Sequence, residues 1–486
     1  MTTNPFLIRP LALRPADLRR LAYLDPAAYP VLLDSAAQGQ LGRYSILAAY
    51  PSAALWQDDH GRLHGRGLSL GVEAQQGFLE TFERLWRQSA LDRADVTTDG
   101  GPAPAAGPFR GGWFLYLGYE IAAEIEPLLA LPAPPTGGAA PRAFALRVPA
   151  AIVYDHLLGQ CWSLVEAGHE ELALRLAQDL ALIGGEPDLP AATAASAAEV
   201  LPLQEEDPRR FGSSVGAALE YIRSGDIYQA NLSRGWRASW VSARTDATVS
   251  AVALGAASAQ LYERLRTQNP APFAALARFG GWHLLSSSPE RLVRVEGRRI
   301  ETRPIAGTRP RSRDAAAEPR ELAALIAHPK ERAEHIMLVD LERNDLGRVC
   351  RAGTVRADEL MITESYAHVH HIVSNVCGEL IAGLGPVDVL RAVFPGGSIT
   401  GCPKFRCMQI IAELEREPRG AYTGALGYVN RDGSMDLNIL IRTITMDSRA
   451  LEFRAGAGIV ADSDWQLELQ ETRAKAHGMI AALQNG

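Results

Sequence analysis

The sequence predicts an α+β protein with largely antiparallel strands. Strand-like runs follow one another as hairpins joined by turn residues, without the strict strand–helix alternation that builds a parallel sheet. Helical stretches fall between these groups of strands. Two helices far apart in the chain carry the same Glu-x-x-Glu spacing, Glu331 with Glu334 and Glu468 with Glu471. With 486 residues the chain exceeds one ordinary core, and 47% hydrophobic with 22% charged residues fits a folded, water-exposed protein.

In the N-terminal part, YPVLLDSA and GRYSILAAYP read as short strands, and QQGFLETFERLWRQ as a helix. FRGGWFLYLGYEI reads as a buried strand opened by close-packed glycines, flanked by the loops 97–108 and LPAPPTGGAAPR. AFALRVPAAIVYDHLLGQCWSLVEA suggests two antiparallel strands around a turn at Leu158–Gln160, followed by a helix from Glu170 to Leu182. Residues 184–207 contain no aromatic residue and little to bury, so they read as a linker. That divides the chain into an N-terminal lobe, 1–183, and a larger region, 208–486.

Asp207-Pro208 opens a helix with Phe211, Val215, Leu219 and Ile222 on one face, ending at Ser224-Gly225. DIYQANLSRGW reads as a strand, and WHLLSSSP, ERLVRVEG and RRIETRPI as three more, the last two joined at Glu296-Gly297. Pro329 suits the first turn of a helix, and Lys330 to Asp345 holds no Gly or Pro to stop it. AHVHHIVSNVCGEL reads as a strand, and FPGGSITG as a loop running into the helix PKFRCMQIIAELE. Strands GALGYVN, LNILIRTIT and LEFRAGAGIV precede a terminal helix, for which Ser463 and Gln466 form a capping box.

A net charge of −7 offers a nucleic acid no electrostatic footing. The sequence has no apolar run of membrane-spanning length and no signal-peptide core, so no membrane is expected. Five cysteines without CxxC spacing read as reduced thiols, which suggests a cytoplasmic protein.

Helical geometry sets Glu331 beside Glu334, and Glu468, Glu471 and Lys475 along one side of the terminal helix. Two such helices can bring four carboxylates to one point. A hard divalent cation relieves their mutual repulsion, and oxygen ligands suit Mg²⁺. Beside these carboxylates lies an anion-binding set: Arg442, expected in a strand; the backbone of Gly456, Ala457 and Gly458; Lys475; and the phenol of Tyr422. A substrate with two carboxylates fits it. Glu290 is a candidate general acid where burial raises its pKa, and of His370 and His371 only one can face a site from a strand. GGSITGCPK departs from a P-loop, with Cys402 and Pro403 where Lys and Ser/Thr belong, so it does not support nucleotide binding.

Together these stretches resemble the chorismate-utilising enzymes. The resemblance runs in order through DIYQANLS, SPERL, RPIAGTRPR, KERAEHIMLVDLERNDLG, HVHHIVS, FPGGSITGCPK, YTGALGY, IRT, GAGIV and QETRAKA, over about 205–486. VLLDSA, GRYS and GGWFLYLGYE look like the family's first lobe. It implies two facing, largely antiparallel β-sheets with helices on the outside and the active site between them. It further implies that Glu334 and Glu471 ligate Mg²⁺ directly and that Glu331 and Glu468 support the metal through water. Tyr422 and Arg442 would take the enolpyruvyl carboxylate of chorismate, and Gly458 with Lys475 the ring carboxylate. Glu290 and His371 would assist departure of the ring hydroxyl, with Ser398 beside it.

Within the family, members that add water resemble one another in a Lys general base at the position of Gln229, so an amine-adding member is expected here. YQANLS and GGSITGCPK resemble component I of aminodeoxychorismate synthase, and NPAPF lacks the NPSPYMF wording of tryptophan-inhibited relatives. The expectation is therefore amination of chorismate to 4-amino-4-deoxychorismate, an early step towards p-aminobenzoate and folate. Ala306 runs against it, because that branch has a Lys nucleophile there and anthranilate synthases have Ala. The alternatives are anthranilate synthase component I and a non-catalytic chorismate-binding homologue. No cysteine stands in the Gly-x-Cys-x-Gly setting of a class I glutaminase, so ammonia is expected from a separate glutaminase subunit. An aminodeoxychorismate lyase would act downstream.

Overall fold

The computed structural model describes residues 5–37, 39, 41–69, 77–91, 107–133, 138–183, 201–240, 248–310, 329–365 and 369–484, without the side chains of 306–310, 329–331, 365 and 369–371. The strands form one 12-stranded and one 11-stranded sheet. Their described pairings are antiparallel, as the hairpin pattern predicts.

Period-2 alternation gives each sheet two apolar faces. The inner faces meet: Val31, Ile46, Ala275 and Leu284 of the larger sheet pack with Phe114, Phe144, Leu146 and Leu426 of the smaller. Ring pairs Tyr116–Trp282 and Phe144–Phe279, each 4.9 Å between centroids, bridge the two layers. Burying one such side chain stabilises by roughly 1.5–3 kcal/mol. Outside the larger sheet pack the helices Pro15–Leu24, Glu171–Ile183, Ala251–Gln268 and Trp465–Gln484, through Leu18, Leu176, Tyr262 and Met479. Outside the smaller lie Phe78–Ser89, Pro329–Gly347 and Pro386–Val393, through Phe82, Val339 and Leu390.

Both sheets draw strands from both ends of the sequence. Val31–Asp34 pairs with Phe273–Phe279, and Gly112–Leu117 with Ala425–Asn430. The division into a lobe over 1–183 and a region over 208–486 stays a proposal from composition, and most of the expected linker lies outside the described residues.

Three expectations need correcting. LNILIRTIT is not one strand but two, Met435–Ile439 in the smaller sheet and Thr443–Met446 in the larger, so Arg442 sits at a break with φ 51°. The stretch 143–167 forms three strands, because Ala143–Val148 joins the smaller sheet before Pro149 turns the chain into the Ala150–Asp155 and Gln160–Glu166 hairpin. The terminal helix is capped by Asp464, whose Oδ1 accepts from the Gln466 and Leu467 amides at 2.9 and 3.1 Å. Ser463 instead donates to the Glu468 carboxylate at 2.6 Å, because the helix begins at Trp465 and Asp464, not Ser463, stands just before its first residue.

Candidate active site

Two sheet crossings lie side by side and carry two of the expected groups. Glu290 sits where the chain leaves Trp282–Ser288 of the larger sheet for Arg291–Glu296 of the smaller. Arg442 sits at the return crossing. The crossings are tied by backbone bonds, Ile439 N–H to the Glu290 carbonyl at 3.0 Å and Ser287 N–H to the Arg442 carbonyl at 3.1 Å.

Glu290 is only 5% exposed. Ser398, in the Gly397–Ile399 turn of the GGSITG loop, donates to its Oε1 at 2.7 Å, and the Ile305 N–H approaches the same oxygen at 3.4 Å. Burial pushes the Glu290 carboxyl up to about 7, against those two hydrogen bonds and the positive charges of Lys475 and Arg442. A carboxyl there keeps much of its proton at neutral pH and can donate it. Burial lowers the Arg442 pKa from its ordinary value, and the Glu290 charge opposes that.

The strand Ala450–Ile459 lies between Gln229–Ser239 on one side and Thr443–Met446 on the other, but the second pairing stops at Phe453. Gly456 and Gly458 follow. A Cβ on Gly456 would stand 2.5 Å from the Tyr422 hydroxyl and 2.6 Å from Asn231 Oδ1, so only glycine lets these groups approach. Tyr422 is buried, which pushes its phenol up to about 12 and keeps it a donor. Arg419, stacked on the Tyr422 ring with 5.5 Å to its centroid and ion-paired with Glu415 at 2.6 Å, fixes it from behind.

Both Glu-x-x-Glu helices reach this glycine segment. Gln229 donates to Glu334 Oε1 at 3.1 Å, and a Cβ on Gly458 would lie 2.4 Å from that amide nitrogen and 3.4 Å from the same carboxylate oxygen. From the terminal helix, Lys475 donates to the Gly456 carbonyl at 3.0 Å and pairs with Glu471 at 2.7 Å. Glu468 is 8% exposed. Among the described residues no three acidic, His or Cys groups stand ready to enclose a metal. Glu331 keeps its helical position, one turn before Glu334, with its side chain outside the description. Glu334, beside the bare backbone of Gly458, and Glu471, paired with Lys475, are oxygen donors of the kind a hard cation such as Mg²⁺ accepts. His371 lies in the strand Val369–Glu379, in register with Thr308 and Glu364; its side chain is likewise outside the description.

The structure thus brings together Glu290, Ser398 and Arg442 at the crossings, and Glu334, Gly456, Gly458, Tyr422, Glu471 and Lys475 along one strand. Sequence reasoning missed Asn231 and the grip of Gln229 on Glu334. The signal was present: Gln229, Asn231 and Ser233 alternate along one strand face.

The family described as chorismate binding enzyme matches residues 33–481. A protein of Synechocystis sp. named anthranilate synthase component I-like is 42% identical over 385 residues, covering 78% of this chain and 73% of the relative. Anthranilate synthase component 1 of Thermus thermophilus is 36% identical over 470 residues, covering 96% and 94%. Among solved structures, anthranilate synthase component I from Streptococcus pneumoniae superposes with a TM-score of 0.72 at 30% identity, covering 91% of this chain and 93% of that one. The isochorismate synthase MenF of Escherichia coli shares the fold, with a TM-score of 0.69 at 18% identity over 99% and 94% of the chains. A match over nearly the whole length, joined to relatives identical at more than a third of positions, means that the chain belongs to the chorismate-binding enzyme family.

Proposed function

We propose that this protein is an anthranilate-forming synthase component that aminates chorismate at ring carbon 2. The sequence motifs lean towards the 4-amino branch; the names of the relatives support the alternative, and so does Ala306. Ala306 is the observation that carries the reading. It adjoins Ile305, whose N–H is on Glu290, so the residue beside the proton donor has no amine to block carbon 2. Ammonia is left as the nucleophile at that carbon.

Arg442 and the Tyr422 hydroxyl take the enolpyruvyl carboxylate, the guanidinium by a planar two-point contact. Lys475 and the Gly456–Gly458 backbone take the ring carboxylate. Glu334 and Glu471 would hold Mg²⁺, with Glu331 and Glu468 behind them, and the ion would supply Lewis-acid polarisation of that carboxylate. As the nitrogen–carbon 2 bond forms, both ring double bonds shift, from carbons 1–2 to 1–6 and from carbons 5–6 to 4–5, and the carbon 4–oxygen bond breaks. Glu290 gives its proton to the departing hydroxyl, which leaves as water, and the added ammonium returns one proton. Ser398 fixes the Glu290 carboxyl during this transfer, and His371 is the second group proposed to assist it. Loss of the carbon 2 proton with cleavage of the carbon 3–oxygen bond then releases pyruvate and the aromatic ring.

Ammonia is proposed to come from a separate glutaminase subunit. All five cysteines are unpaired; Cys402 is partly buried and the other four fully, and burial raises each thiol's pKa, the reverse of an activated nucleophile. The deciding experiment supplies chorismate, Mg²⁺ and ammonia, with and without an aminodeoxychorismate lyase, and separates the products. Anthranilate and pyruvate in equal amounts, independent of the lyase, are expected. p-Aminobenzoate as the main product, appearing only with the lyase, would restore the 4-amino reading.

A further inference from the structure

Glu342 has no place in the chemistry above, yet it is 5% exposed and lies two turns beyond Glu334 on the Pro329–Gly347 helix. Its Oε1 accepts the Gly397 N–H at 3.3 Å, and Thr302 hydrogen-bonds the same carboxyl. Gly397 opens the turn whose next residue, Ser398, donates to Glu290 at 2.7 Å. A Cβ at Gly397 would come within 2.7 Å of Leu341 Cδ2 and 3.0 Å of Glu342 Oε1, so the helix and the loop meet on a bare backbone.

The surroundings are acidic. Asp345 is 2% exposed and ion-paired with Lys404, whose Nζ also donates to the Val393 carbonyl at 3.2 Å. Burial pushes Glu342 up to about 7; the charges of Asp345 and Glu290 add to that, and Lys404 and Thr302 oppose it. Asp345 is raised by burial against Lys404 and Arg348. On its other side Glu290 faces Lys475 and Arg442.

We propose that Glu342 is a positioning residue for Glu290: through the Gly397 amide it fixes Ser398 on the Glu290 carboxyl, and the two carboxyls share one buried acidic site. The catalytic half of this inference rests on Glu290 being the proton donor proposed above. Two like charges in a buried site repel far more than in water, so Glu290 and Glu342 titrate as a linked pair.

Glu342→Gln keeps the oxygen that accepts from Gly397 and removes the charge. In protein carrying ¹³C at glutamate side-chain carboxyls, the Glu290 resonance is identified by its loss in Glu290→Gln. With the neighbouring negative charge gone, Glu290 releases its proton more easily. Its midpoint in Glu342→Gln is expected to fall by about half a pH unit or more, and the alkaline limb of kcat/KM to move the same way. Glu342→Asp keeps the charge but is too short for the Gly397 amide, so its midpoint should not fall; a fall as large as that of Glu342→Gln would overturn the inference. Superimposable wild-type and Glu342→Gln titrations overturn it directly. Where Glu342→Gln fails to fold, Thr302→Val tests the same link, since it removes a hydrogen bond favouring ionised Glu342 and lowers the Glu290 midpoint; an unmoved midpoint counts against the proposal. A shifted midpoint in a protein that never turns over chorismate would support the Glu342–Glu290 link and refute the proposed activity instead.

Discussion

Replacing Gly458 by Ala tests whether Glu334 has to be held in place. The backbone of Gly458 is not in the left-handed region, so alanine fits the strand without strain. Its Cβ, however, falls 2.4 Å from Gln229 Nε2, where real Cβ contacts need about 3.4 Å, so the amide must retreat by about 1 Å. That retreat breaks the 3.1 Å hydrogen bond from Gln229 to Glu334. A hydrogen bond to a charged group contributes about 1.5–3 kcal/mol, which corresponds to about 10- to 100-fold. Because Glu334 is proposed to hold the metal, the loss should appear in the Mg²⁺ concentration for half-maximal activity, measured at saturating chorismate and confirmed by Mg²⁺ calorimetry. Thermal unfolding should barely change, since only the end of one side chain moves. An unchanged Mg²⁺ requirement in a folded G458A protein would show that the Gln229–Glu334 contact does not serve a metal.

Arg442→Lys keeps the charge and loses the planar fork, so kcat/KM for chorismate should fall about tenfold or more with unchanged circular dichroism; equal values would make Arg442 structural. Glu290→Gln should be inactive yet more stable at alkaline pH. The carboxyl's folded pKa of about 7 lies above the ordinary 4.5, so its stabilising effect is complete below 4.5 and lost as pH rises through 7. The gap corresponds to roughly 3 kcal/mol, to be read as a urea-unfolding advantage of the variant that is larger at pH 8 than at pH 5; an advantage independent of pH would count against the buried acid. Glu415→Gln leaves Arg419 buried beside Arg454 without its carboxylate, at a cost of about 3–5 kcal/mol, and should loosen Tyr422, lowering Tm and raising the KM for chorismate together.

Period and punctuation made much of the fold legible. Trp282–Ser288, Arg291–Glu296 and Arg299–Arg303 lie where alternation and the Glu296-Gly297 turn put them, and Pro329 and Asp207-Pro208 mark their helices. Edge and connecting elements were harder. Phe6–Leu11 carries two exposed residues in the middle of a strand, and Ala251–Gln268 is so rich in alanine that no apolar stripe stands out against its polar face. The site divides in the same way. Glu334, Glu471 and Lys475 follow from helical spacing, whereas the hold of Ser398 on Glu290 spans 108 residues, a separation that no local pattern records. LNILIRTIT shows the limit most clearly: its apolar run satisfies strand periodicity throughout, and only the tertiary structure reveals that its two halves belong to different sheets.

That break explains why the polar groups gather where they do. Inside a strand pair, backbone donors and acceptors are used by the ladder, and the inner faces of the two sheets are filled by rings such as Tyr116 and Trp282. A buried charge there would meet neither water nor a partner. At a crossing the ladder is interrupted, and the chain passes from one sheet to the other. Glu290 and Arg442 occupy two adjacent crossings whose backbones bond to each other, so the acid and the cation are placed by covalent connectivity and not by loop conformation. The same architecture crosses sheets again around Tyr50–Ser52 and at Pro149, where Ser52 N–H bonds the Arg147 carbonyl at 2.9 Å. At that pair the turning residues carry no acid, and the groups nearby, Tyr29, Tyr50 and Asp179, are joined to one another by hydrogen bonds. A sheet crossing therefore interrupts the ladder, and the proposed chemistry falls where the sequence sets a carboxyl and a guanidinium at the turn, as Glu290 and Arg442 are set here.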